Sequence, residues 1–189
     1  VSVILALAVI RARVLMVQAV TQSQAAQSLS RFFSDDLANH IKSADTDAAI
    51  GEVVSREASI LNVDIRGFTP LTKRTTPKEQ IELITQYHAH IVPVITEYGG
   101  HVDKFMGDGI MAYFGVLAES KTHAADVLHC MEDIMKASDN WNNERKNNGL
   151  EPVVIHASCA SGDIVFGVIG QEHRLEYTVI GDAANVSAK

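Results

Sequence analysis

The apolar positions along this chain follow three successive patterns. The first is continuous: residues 1–10 (VSVILALAVI) form an apolar run that Arg11 and Arg13 end abruptly. Such a run is too short to cross about 30 Å of hydrocarbon, which takes roughly 20 residues. It reads as the cytoplasmic end of a transmembrane helix that begins before residue 1, as the core of a signal peptide, or as a helix buried in a dimer. A signal peptide carries its positive charges ahead of the apolar run. Basic residues on the far flank fit a positive-inside exit instead. Residues 1–13 are therefore expected to end a membrane helix, with the rest of the chain on the cytoplasmic side of the cell membrane.

The second pattern is helical but thin. Residues 14–31 contain no Gly or Pro, and Leu15, Ala19, Gln22, Ala26 and Leu29 recur at alternating spacings of four and three. This makes either a short dimer seam interrupted by Gln22 or a single solvated helix. Beyond the aromatic pair Phe32 and Phe33, Ser34 can cap a second helix that has Asp35 and Asp36 in its first turn and His40 and Lys42 near its end. A polar stretch, 43–51, follows. Residues 14–51 are read as a helical signalling or dimerisation segment with its linker, and the main domain as 52–189.

In that domain the periods alternate. Residues 58–65 form a short β run, after which Gly67 and Thr69-Pro70 turn the chain toward a helix. Residues 77–98 place Ile81, Ile84, Tyr87, His88, Ile91, Val94 and Ile95 on one helical face; Pro77 suits the first turn, and Pro93 is expected to kink or break the helix. Residues 101–105 and 109–114 read as a hairpin turning at Met106-Gly107-Asp108. Residues 121–143 are helical, 153–161 and 164–169 are strands joined by a turn at Gly162-Asp163, 177–180 is another strand, and Gly181-Asp182 opens a last helix. Hairpins mixed with crossover helices predict an α+β domain, its mixed or antiparallel sheet covered by helices mainly on one face.

Composition narrows the chemistry. A net charge of −7 and a pI of about 5.6 exclude a general nucleic-acid surface, which needs clustered Lys and Arg. The two cysteines, Cys130 and Cys159, show no zinc-ligand spacing and read as reduced core thiols. Asp64 and Asp108 stand out because each carries a carboxylate among apolar neighbours on a β element. A carboxylate so placed needs a cation, a metal or several hydrogen bonds. Backbone amides from Arg66, Gly67, Phe68 and Thr69, at the start of the helix after Asp64, offer a cradle for phosphate oxygens. Paired carboxylates beside such a cradle point to phosphoryl transfer with a divalent metal.

Four blocks, VDIRGFT (63–69), GGHVDKFMGDGIMAYFG (99–115), ASGDIVFGVIG (160–170) and RLEYTVIGDAANVSAK (174–189), together resemble the class III nucleotidyl cyclases, which make cyclic AMP or cyclic GMP. The resemblance implies a ferredoxin-like βαββαβ-type cyclase homology domain preceded by a helical segment. It implies that Asp64, Asp108 and the backbone carbonyl of Ile65 hold two divalent ions, Mg²⁺ or Mn²⁺, in each active site. Lys104 and Thr178 stand at the base-reading positions, where a cation and a hydroxyl suit adenine; guanine-specific members usually have Glu and a small or thiol residue. Asn185 matches the residue that positions the ribose. Lys189 stands where the family usually has an Arg that stabilises charge on the α-phosphate, and a Lys there keeps the charge but loses the bidentate fork.

In this family the metal ligands come from one subunit and the base-reading and transition-state residues from its partner, so a homodimer acting on ATP is expected. The expected activity is that of an adenylate cyclase; a guanylate cyclase and a catalytically silent nucleotide-binding dimerisation module are the alternatives. Family domains continue past the last helix seen here, so the chain is expected to be part of a longer protein with an incomplete catalytic C-terminus. Other residues read as structural: His88 and His90 point in different directions on a helix, His156 packs within a strand, Trp141 anchors the core, and Asp163 occupies a turn.

Overall fold

The computed structural model describes residues 53–171 and 174–188. The membrane and signalling segments expected over residues 1–51 lie outside them. So does Lys189. The described elements run β1 (Val53–Arg66), α1 (Phe68–Thr72), α2 (Pro77–Glu97), β2 (His101–Met106), β3 (Gly109–Phe114), α3 (His123–Asn147), β4 (Val154–Gln171), β5 (Arg174–Ile180) and α4 (Asp182–Ser187). Five strands make one sheet in the order β2-β3-β1-β4-β5, and every neighbouring pair is antiparallel. The α+β, ferredoxin-like class expected from the sequence is the one found.

Strand alternation decides which side of the sheet is covered. Leu61, Val63 and Ile65 of β1 face α2 and α3, where they join Tyr87, Ile91, Ile95, Val127, Cys130, Ile134 and Trp141 in one core. Trp141 is an anchor there, 2% exposed, as expected. The other β1 residues face the opposite side, on which the short α4 lies across β1 and β4. Gly100 lets α2 turn back tightly into β2: a Cβ at this position would sit 2.5 Å from Phe114 Cζ and 2.8 Å from Ile95 Cγ2.

Two local expectations fail. Gly162 and Asp163 do not form a turn; they lie within the single 18-residue strand β4, opposite Ala58 and Glu57 of β1. Strand β1 begins at Val53, well before its apolar run, and this longer partner supplies cross-strand hydrogen bonds that outweigh the local turn preference of Gly-Asp. Pro93 does not break α2, which continues to Glu97. Buried Ile91 and Ile95 flank it and hold both halves of the helix to the same core. The start of α2 is well specified: Thr76 and Glu79 form a capping box ahead of Pro77.

Candidate active site

The β1/β3 ladder ends at Val63 opposite Ile110. Continuing that register would set Gly109 opposite Asp64 and Asp108 opposite Ile65, just where the two strands part. Asp108 reaches this place through the β2–β3 turn, in which Gly107 adopts a left-handed φ of 67° that a side chain would resist. The two predicted carboxylates and the Ile65 backbone thus converge on the open end of β1. Both are only partly buried. The Asp64 carboxylate accepts a hydrogen bond from His156 Nδ1 at 3.3 Å when that nitrogen carries its proton.

His156 is therefore not the packing residue expected from its strand. It stands opposite Asp64 in the β1/β4 register, and its alternation places it on the side away from the core. With Asn62, Asp64, Arg66, Met106, Ser158 and others, it lines a cavity of about 240 Å³. A larger cavity of about 400 Å³ lies between the end of α1, the first half of α2 and the end of α3, and is lined by none of the predicted site residues.

Close to both carboxylates lies Tyr87, 0% exposed, with a hydroxyl that has no hydrogen-bond partner among the described residues. Burial, then the charges of Asp64 and Asp108, hold its pKa far above the usual phenol value. The same buried oxygen thus feels both carboxylates. Among the described residues no group of three or more His, Cys, Asp or Glu forms a ready metal cage. Two carboxylates and a carbonyl still fit hard divalent cations, which commonly complete their shells with water and substrate phosphate.

The two residues expected to read the base are brought together from opposite edges of the sheet. Lys104 lies on β2 and Thr178 on β5, yet Lys104 Nζ donates to Thr178 Oγ1 at 3.1 Å. Only a strongly curled sheet allows this contact. Two further carboxylates hold the ammonium: Glu176 Oε1 at 2.5 Å and Asp103 Oδ2 at 3.5 Å. Asp103 is the extra residue where the β2/β3 register slips between Val102 and Lys104, and its side chain is only 3% exposed. Burial raises the Asp103 pKa against the opposing pull of Lys104. Burial pulls the Lys104 pKa down, but the bond to Glu176 and the charges of Asp103 and Glu176 outweigh it, and the net shift is upward. Asp103 and Glu176 had no signal in the sequence beyond their closeness to Lys104 and Thr178.

The remaining predicted residues sit on short helices. Arg66, Gly67 and Thr69 are exposed and Phe68 is half-buried at the start of α1, where Gly67 takes a φ of 74° and no side chain caps the helix. The Phe68 and Thr69 amides are thus not consumed by a side-chain cap. Asn185 is exposed on α4. His88 stacks on Phe105 and His90 on Trp141, so the two histidines diverge as expected. Cys130 and Cys159 are free thiols, and burial pushes Cys130 up to about 12.

Comparison with known proteins identifies the family. Residues 53–189 match the adenylate and guanylate cyclase catalytic domain family. An adenylate cyclase of Anabaena cylindrica is 34% identical over 144 residues, which is 74% of this chain and 28% of that protein. This chain thus spans little more than a quarter of that relative. Among solved structures, the guanylyl cyclase Cya2 is 32% identical with a TM-score of 0.67, covering 71% of this chain and 68% of its own. The adenylyl cyclase CyaB from P. aeruginosa is 26% identical with a TM-score of 0.68, covering 72% of this chain and 71% of its own. Adenylyl and guanylyl cyclases are both represented among these similar proteins, and the chain belongs to the adenylate and guanylate cyclase catalytic domain family, the class III nucleotidyl cyclases.

Proposed function

We propose that this nucleotidyl cyclase domain uses ATP, converting it to 3′,5′-cyclic AMP and pyrophosphate in a homodimer. The observation that carries this reading is the 3.1 Å bond between Lys104 and Thr178. It makes the two base-reading side chains one unit, with an ammonium donor for adenine N1 beside a hydroxyl that can accept from the 6-amino group. Glu176 and Asp103 keep the ammonium charged and restrict where it can point.

In the reaction the ribose 3′-oxygen bonds to the α-phosphorus, its proton departs, and the bond from the α-phosphorus to the bridging oxygen breaks to release pyrophosphate. Asp64, Asp108 and the Ile65 carbonyl would hold the divalent ions, Mg²⁺ or Mn²⁺. When bound, such ions favour the ionised 3′-oxygen and offset charge on the triphosphate. On this reading the amides after Arg66 receive phosphate oxygens, Asn185 orients the ribose, and Lys189 offsets charge at the α-phosphate. A lysine does this as a point charge, without the fork of an arginine.

Homodimerisation has its own support. The Asp64 cavity is lined by neither Lys104 nor Thr178, so one chain presents two separate half-sites. Around them Phe105, Met106, Val154 and Val186 leave apolar surface exposed. A symmetric pair supplies both halves twice. We further place the domain at the cytoplasmic face of the cell membrane, held there by residues 1–13; the apolar run before Arg11 and Arg13 supports this. Among the described residues no helix is long and apolar enough to cross a membrane. Retention in the membrane fraction, lost on deleting residues 1–13, tests the tether.

A second substrate, GTP, is favoured by one observation: the Glu176 carboxylate beside Lys104 offers an acceptor that guanine N1–H could use. Incubating the full-length protein with ATP or GTP and Mn²⁺ and identifying the cyclic product decides between them. Cyclic AMP is expected; cyclic GMP would favour the second reading, and no product from either nucleotide would sink both.

A further inference from the structure

Asn62 lies two residues before Asp64, on the same side of β1. It is an amide in the central strand of the sheet, only 9% exposed, and a buried amide requires partners. Its Nδ2 donates to Ser187 Oγ at 2.8 Å. The Ser187 hydroxyl donates in turn to the Ala184 carbonyl at 3.1 Å. Ser158, opposite Asn62 in the β1/β4 register, donates to the Ser187 carbonyl at 2.6 Å. Side chains from two strands thus close on one residue of α4.

That helix is short and lies across β1 and β4. It is six residues long, no side chain caps it, and its buried residues are Ala183 and Ser187. Val186 is 58% exposed. A helix this short does not persist without tertiary support. Yet it carries Asn185, and Ala188 just beyond it lines the same cavity as Asn62, Asp64 and Ser158.

We propose that Asn62, Ser158 and Ser187 form a positioning clasp that fixes α4, and with it Asn185, relative to the strand carrying Asp64. The clasp rests on the roles assigned above to Asp64 and Asn185. It acts on the alignment of the ribose and the α-phosphate, which matters most in the transition state, and not on the base-reading cluster. Its loss therefore lowers kcat more than it raises KM. In a dimer with shared sites, Asp64 and Asn185 of one chain serve different sites, so each clasp also ties one site to the other.

The test uses the full-length protein with ATP and Mn²⁺. Asn62→Ala is expected to lower kcat about tenfold with KM within about twofold, the signature of misalignment. Ser158→Ala should act in the same direction, and it serves as the probe if Asn62→Ala fails to fold. A double variant, Asn62→Leu with Ser187→Ala, removes donor and acceptor together; melting temperature should return toward the wild type while kcat stays low. Recovery of kcat alongside stability, or unchanged kcat in both Asn62→Ala and Ser158→Ala, overturns the clasp. If the wild type makes no cyclic nucleotide, the functional reading fails, and amide exchange over residues 185–188 then decides the clasp. Faster exchange in Asn62→Ala supports it, and unchanged exchange overturns it.

Discussion

On the proposed reading, Lys104 is where residue chemistry bears most directly on substrate choice. Its ammonium is shared among Thr178, Glu176 and Asp103. If Lys104 donates to adenine N1 as proposed, Lys104→Ala should lower kcat/KM for ATP by about tenfold or more, measured as cyclic AMP formed. Glu176→Ala should move the alkaline limb of that profile to lower pH, because the bond that raises the Lys104 pKa is gone. Asp103 gives a stability test. Its pKa is raised in the fold, so its contribution is fully present below the unfolded pKa and is lost as pH rises through the folded one. Asp103→Asn should therefore raise the melting temperature by about 2 °C at pH 7, with the gain vanishing in acid, while weakening ATP use. Asp64, Asp108, Lys104 and Thr178 are legible as candidates because each sits in a contiguous motif. His156, Asp103 and Glu176 are not: their roles depend on a cross-strand register, a one-residue slip in β2 and the curl that brings β2 to β5.

Elements follow the same division between local and distant causes. The start of α2 is written locally, in Thr76, Pro77 and Glu79, and the structure forms that capping box. Thr76→Ala should cost about 1 kcal/mol in a denaturation experiment. Strand β4 was misread as two strands because its continuity comes from β1, not from its own Gly-Asp pair. Pro93 does not break α2 for a related reason: the core on both sides of it holds the helix together. Gly100 is the reverse case, a glycine whose need is set by Phe114 and Ile95 from other parts of the chain. Gly100→Ala should destabilise the domain by about 1–3 kcal/mol through overpacking, read as a lower urea midpoint with an unchanged slope.

The described domain is a five-stranded sheet with its core on one face and the candidate site residues on the other and along its edges. On the proposed reading one chain carries two kinds of half-site, the Asp64 cavity and the Lys104–Thr178 cluster. That separation is why a homodimer is the natural unit for the proposed reaction. The most direct test is complementation between Asp64→Ala and Asn185→Ala subunits of the full-length protein, with ATP and Mn²⁺. Each variant alone should make almost no cyclic AMP. Randomly mixed subunits should recover about a quarter of wild-type activity, since half the dimers are mixed and each of those has one intact site. A mixture no more active than either variant alone would contradict an ATP-cyclising site shared between two chains.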